Sequence, residues 1–197
     1  MDKRTVHAYD SEAGQFAGEW HEQPAPDDMY ALLTRYFTPG LTADVGCGSG
    51  RDMAWLHEHG FEVSGYDASQ GLLEQARARY PHLRFTQAAL PELEGVPSRQ
   101  FRNVLCETVI MHLAPAQIGP SVRRLLDLLM PDGVMFLSWR VTEGESLRDK
   151  HQRLYASFDQ HVVFDACAGN AVLFDEEAIS QSSGKNVHRL IVRKAQT

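Results

Sequence analysis

The sequence predicts an α/β layer fold, because apolar runs of strand length alternate with amphipathic stretches of helical period and a glycine-rich turn follows the first strand. This is the pattern of a doubly wound, mostly parallel sheet covered by helices. Composition agrees: 197 residues, 43% hydrophobic and 23% charged, suffice for one well-buried core, read as a single domain over 1–197.

The elements follow in order. Residues 1–38 read as an N-terminal helical lid segment. Within it Met29, Leu32, Leu33 and Tyr36 repeat at helical steps from Pro26 to Phe37, and Pro39-Gly40 closes the helix. Leu41 to Val45 is the first strand and runs into the turn Asp44-Val45-Gly46-Cys47-Gly48-Ser49-Gly50. A helix from Arg51 to His59 ends at Gly60, a residue suited to a left-handed cap, and Phe61 to Tyr66 is the second strand. Ser69 caps a third helix through Arg79, which Pro81 forbids to continue. Leu83 to Gln87 and Asn103 to Cys106 are strands, separated by the polar loop Glu92 to Gln100. Pro115 to Met130 is helical, and the turn Pro131-Asp132-Gly133 sends Val134 to Val141 back as the fifth strand. Beyond Thr142 the pattern predicts a helix over His151 to Phe158. A closing antiparallel pair follows, Ala171 to Phe174 and His188 to Val192, around the turn Ser182-Ser183-Gly184-Lys185.

A formal charge of −7 argues against a phosphate-driven nucleic-acid binder, which needs clustered Lys and Arg to displace counterions, and favours a small-molecule or protein substrate. The basic residues Lys3-Arg4 and Arg189 to Lys194 read as solvated surface. Cys47, Cys106 and Cys167 lie far apart with no Cys-x-x-Cys pair, which indicates neither disulfides nor a zinc knuckle and fits a reducing cytoplasm. No run approaches a signal peptide or a membrane span, so the chain reads as soluble and unprocessed, with residues 1 to 6 a mobile end. His57-Glu58-His59 is not a metal motif, since residues two apart on a helix point about 200° from each other.

Residues without a β-carbon let main-chain atoms approach a ligand, and Gly46, Gly48 and Gly50 supply that freedom where a strand opens into a helix. A dinucleotide turn wants Gly-x-Gly-x-x-Gly; here the third glycine comes one residue early and Arg51 stands where Gly or Ala is needed. Asp67, 21 residues after Gly46 at the end of the second strand, is placed to accept hydrogen bonds from a ribose diol. Turn and distal acid together indicate a nucleoside-bearing cofactor.

The chain resembles the class I S-adenosylmethionine-dependent methyltransferases, and among them the compact bacterial methyltransferase-domain proteins of the tellurite-resistance-like branch. The resemblance rests on Thr42 to Asp52, Gly65-Tyr66-Asp67-Ala68-Ser69, Val109 to Leu113 and Leu129 to Val134. It implies a Rossmann-like sheet of seven strands with an antiparallel C-terminal strand, S-adenosyl-L-methionine as cofactor and S-adenosyl-L-homocysteine as product. It also implies a cofactor set: Asp44, Gly46, Cys47, Gly48, Gly50 and Arg51 toward the methionine end, Asp67 on the ribose, Ala68, Ala89 and Leu90 around the adenine, Cys106 and Glu107 closing the methionine side. Many such proteins carry an acid near Ala89 for the adenine amino group; Ala88-Ala89 replaces it here.

A sulfonium is already an activated methyl donor, so alignment and exclusion of water are the main tasks. A base is needed only for a protonated acceptor, and Glu107 and His112 are the candidates, His112 being equally readable as a packed histidine bonded to backbone. Tyr9 and Trp20 are expected in the lid, and His112, Arg140 and Tyr155 beside the acceptor, where Arg140 can pair with an acidic substrate. The expected acceptor is a small molecule, with no nucleic acid and no membrane. A cofactor-binding regulatory protein, or transfer to a protein or RNA partner, is the alternative.

Overall fold

The computed structural model describes residues 1–196. Three helices come first: α1 (Lys3–Ser11), α2 (Ala13–Glu22) and α3 (Asp27–Tyr36). Strands and helices then alternate as β1 (Leu41–Val45), α4 (Arg51–Glu58), β2 (Glu62–Asp67), α5 (Gln70–Arg79), β3 (Arg84–Gln87), β4 (Phe101–Cys106), α6 (Pro115–Leu128) and β5 (Leu129–Arg140). The chain closes with β6 (Leu147–Arg148), β7 (Leu154–Tyr155), α7 (His161–Ala166), β8 (Ala171–Ile179) and β9 (Asn186–Arg193).

Seven strands form one sheet in the order β3-β2-β1-β4-β5-β9-β8. The first five pair in parallel, and β9 is antiparallel to both β5 and β8, so it alone runs against the other six. The central strands are buried on both faces, as their unbroken apolar runs require. Side chains alternate across the sheet: Val104, Cys106, Met135 and Leu137 join Ile118, Val122 and Leu125 of α6, while Leu105, Val134 and Phe136 join Met29, Leu33, Met53 and Leu56 of α3 and α4.

Local signals explain the element ends. Ser69 Oγ accepts from Leu72 N at 3.1 Å, satisfying one of the amides that opens α5. Gly60 follows α4 at φ +85°, and Pro81 lies just past α5.

The structure corrects four sequence expectations. His151 to Phe158 is not helical. Asp149 Oδ1 accepts from the backbone amides of His151 and Arg153, both at 3.0 Å, and this side-chain turn folds the segment into the hairpin β6–β7, with a helix only at α7. Residues 1 to 6 are not a loose end: Asp2 caps α1 by accepting from Thr5 N at 2.9 Å and pairs with Arg148 at 2.9 Å, and this pairing holds its carboxyl far below the usual range. Arg189 is not surface charge; it is 3% exposed and bound to Asp28 at 2.5 Å. Finally, β5 begins at Leu129 and absorbs the turn Pro131-Asp132-Gly133, where its register with β4 shifts between Phe101 and Asn103, and β8 extends to Ile179. Among the described residues no helix is long and apolar enough to cross a membrane.

Gly65 is where α4 touches β2: a β-carbon there would sit 2.2 Å from Met53 Sδ and 2.9 Å from Cys47 Sγ. Replacing Gly65 with Ala should therefore lower stability by about 1–3 kcal/mol through overpacking. Urea unfolding checks this, with a lower midpoint at an unchanged slope expected.

Candidate active site

The carboxyl ends of β1, β2, β4 and β5 open into a cavity of about 330 Å³, roofed by the N-terminal helices and by the connection between β8 and β9. Its floor is the glycine turn. Gly46 N and Cys47 N donate to Tyr66 O at 2.7 and 3.1 Å, which ties the turn to the neighbouring strand. Gly46 (φ +82°) passes so close to Val109 that a β-carbon would lie 2.1 Å from Cγ2, and at Gly48 (φ +52°) one would lie 2.9 Å from the Trp20 ring. Side chains are excluded from both places, so backbone faces the cavity.

Asp67 stands at the tip of β2 with Oδ2 accepting from Gly48 N at 2.9 Å and Oδ1 from Ser69 N at 2.8 Å. Burial pushes its carboxyl up and these amides pull it down; the net direction is upward. Each oxygen keeps a lone pair, and Asp67 lines the cavity. Beside it Ala68, Leu72, Ala88 and Leu90 make an apolar flank.

Of the other residues expected at a cofactor, Gly46, Cys47, Gly48, Arg51 and Glu107 also line the cavity, and Asp44, Gly50, Ala89 and Cys106 stand outside its wall. Asp44 is buried behind the turn with Oδ2 lacking any hydrogen-bond partner, and burial raises its carboxyl well above the usual range. Gly50 is turned toward Phe85 and Tyr80 at the start of α4. Cys106 is sealed in the core, and Ala89 is drawn into a turn in which its carbonyl accepts from Leu93 N at 2.8 Å. Arg51 is neutralised by Asp52 (2.9 Å) and reaches Ser182 Oγ (3.3 Å), while Tyr30 donates to the same Asp52 at 2.8 Å.

Tyr9, Trp20, His112, Arg140 and Tyr155 all line the cavity. Tyr9 Oη lies 3.0 Å from His112 Nε2, and His112 Nδ1 lies 2.5 Å from the carbonyl of Leu154. A carbonyl only accepts, so Nδ1 carries the proton and Nε2 accepts from Tyr9. Burial keeps this ring neutral by lowering it to about 4, and pushes the Tyr9 hydroxyl up. The remaining lone pair of His112 is thus already engaged, and its direct effect is to fix Tyr9. Glu107 differs: buried, with the Ser138 hydroxyl donating to Oε2, it is raised by desolvation to about 7. His59 stacks on Trp55 at 3.9 Å while His57 faces His82 at 5.2 Å.

Sequence reasoning missed Arg153, which pairs with Asp149 at 2.6 Å and lies over the rings of Phe16 and Tyr9 at 4.6 and 5.4 Å. It also missed the wall made by Ser180, Ser182, Ser183 and Lys185, read only as a turn. Asp10 ties α1 to α5, accepting from Ser69 Oγ at 2.7 Å and Gly71 N at 2.9 Å. An acid on α1 was the only available sign of it.

A methyltransferase-domain family model matches residues 43–133. A methyltransferase-named protein of Geobacillus sp. (strain WCH70) is 31% identical over 96 residues, which cover 47% of this chain and 39% of that protein. Trans-aconitate 2-methyltransferase of Methylobacterium radiotolerans is 37% identical over 101 residues, covering 49% and 36% respectively. The chain thus spans well under half the length of these curated relatives. In fold it is similar to Burkholderia thailandensis 1,6-didemethyltoxoflavin-N1-methyltransferase, solved with its substrate and S-adenosylhomocysteine. The TM-score is 0.74 at 23% identity, over 96% of this chain and 88% of that one.

The raised carboxyl of Glu107 makes a prediction about pH. Between the ordinary value of 4.5 and about 7 the folded state keeps a proton that the unfolded chain releases, so stability falls as pH rises through this window. The loss attributable to this group is about 3 kcal/mol. Asp44 and Asp67 contribute in the same direction, so the check is the difference between the parent and Glu107→Gln in urea unfolding from pH 4.5 to 8. The variant should lose less stability across that range.

Proposed function

We propose that the chain is a class I S-adenosylmethionine-dependent methyltransferase that transfers a methyl group to a small-molecule acceptor, a reading supported by the methyltransferase-domain match over residues 43–133 and by the fold. The observation that carries this reading is Asp67: its carboxylate grips the Gly48 amide across the crevice between β1 and β2 and keeps lone pairs toward the cavity. A ribose diol is the partner such an acid takes at this position of an α/β fold.

The residues present fit the cofactor. Asp67 would accept from the ribose hydroxyls, and the apolar flank of Ala68, Leu72, Ala88 and Leu90 suits the adenine ring. The backbone of Gly46 to Gly48 and the side chains of Arg51 and Glu107 would face the methionine end. When bound, the cofactor supplies a methyl group already activated by its sulfonium, so the chain contributes alignment and dryness. Tyr9 and Trp20 exclude water from above. Glu107, poised near neutrality, would take the proton of an acceptor that arrives protonated, and His112 acts as a positioning residue for Tyr9. The trans-aconitate and didemethyltoxoflavin enzymes, both named for small molecules, support a small acceptor. Three buried free cysteines accord with a cytoplasmic location.

Calorimetric titration with S-adenosylmethionine and S-adenosylhomocysteine tests the reading: binding in the micromolar range is expected, and no heat with either ligand overturns it. Asp67→Ala should weaken both by about ten- to a hundredfold, the scale of a charged hydrogen bond. An unchanged affinity would remove Asp67 from the ribose.

A further inference from the structure

We propose that the acceptor is a small organic anion, a carboxylate or phosphate ester, seated by Arg140 and Lys185 three strands across the sheet from Asp67. The proposal rests on the methyl-transfer reading above and goes beyond it by naming what the cavity recognises.

The register of β5 with β9 sets Arg140 opposite Val187. Because strand side chains alternate, Arg140 and Val187 share one face; Lys185 stands in the bend just before β9, and all three line the cavity. Trp139 and His188 point to the other side, stacked on each other at 4.3 Å. Three other cations in or beside the cavity have their own carboxylates: Arg51 on Asp52 at 2.9 Å, Arg153 on Asp149 at 2.6 Å, Arg189 on Asp28 at 2.5 Å. Among the described residues none pairs with the side chain of Arg140 or Lys185.

Arg140 is also held in place. Its guanidinium lies over the Tyr155 ring at 4.8 Å, and Tyr155 packs edge-on against His112 at 5.1 Å, so the planar fork is oriented before anything binds. A fork of this kind takes a carboxylate or phosphate through two parallel hydrogen bonds, and Lys185 at the rim adds a second positive charge. In a chain of net charge −7, an unpaired arginine kept half-buried in a cavity wall is a selective feature of that wall.

The test uses the protein saturated with S-adenosylhomocysteine. Succinate, benzoate and glycerol phosphate are titrated by calorimetry and thermal shift against succinamide, benzamide and glycerol, with carboxylates and phosphate separating the two anion sources. At least one anion should bind while its neutral counterpart does not. Arg140→Gln should weaken that anion about ten- to a hundredfold with S-adenosylhomocysteine affinity unchanged, and Arg140→Lys should recover part of the loss. Retained cofactor-product affinity also certifies that the variants fold. Equal binding of neutral and charged probes, no binding of any anion, or an Arg140→Gln effect on S-adenosylhomocysteine in place of the anion would each overturn the proposal. Failure of the parent to bind S-adenosylhomocysteine would instead sink the methyl-transfer reading itself.

Discussion

Two adjacent strand ends are tied to each other by their own backbone. Gly46 N and Cys47 N reach across to Tyr66 O, and Gly48 N reaches across to Asp67 Oδ2. The turn after β1 and the acid that ends β2 are therefore one object, joined by two backbone bonds and one to the Asp67 carboxylate. The rest of the cavity is arranged around that object. The start of α4, the cap of α5 at Ser69 and the lid acid Asp10 all meet at its edges. Loss of the acid would leave two amides unpaired, since Ser69 N depends on the same carboxylate as Gly48 N.

The charges around the cavity are sorted by position. Asp44 lies within β1 just behind the cavity wall, Asp67 ends β2 and Glu107 follows β4, and burial raises all three carboxyls. Arg140 lies at the end of β5, beyond them, with an aromatic ring beneath it. Burial thus drives the three acids toward their protonated, neutral form, the opposite of what a free carboxylate would show.

How much of this could be read from the chain depended on how local each contact is. The strand Leu41 to Val45 matches β1 residue for residue, and Ser69 caps α5 as read, because apolar period and capping act within a few residues. That the turn and Asp67 sit together inside one strand-helix-strand unit was legible too, since its geometry is stereotyped, but the bond from Gly48 N to Asp67 Oδ2 across 19 residues was not. In the far wall Tyr9, Trp20, His112, Arg140 and Tyr155 were expected and line the cavity, but the contacts among its residues were not legible. Tyr9 meets His112 over 103 residues, Arg51 meets Ser182 over 131, and Leu154 is fixed by Thr5 over 149, contacts that no spacing rule encodes. The hairpin β6–β7 was lost for the same reason. Its sequence has helical period, but Asp149 and the remote hydroxyl of Thr5 claim the amides that a helix would need.

The N-terminal helices are fastened at several separate points: Asp2 to Arg148, Asp10 to Ser69 and Gly71, and Glu12 to His151 at 2.7 Å. These anchors lie on different parts of the protein, the first and last on the segment around the β6–β7 hairpin and the middle one on α5. A segment anchored on both banks behaves as a strap and not as a hinged flap. Releasing one bank alone leaves the segment held at the other, so the helices that carry Tyr9 and Trp20 over the cavity come away only when both sets of bonds yield.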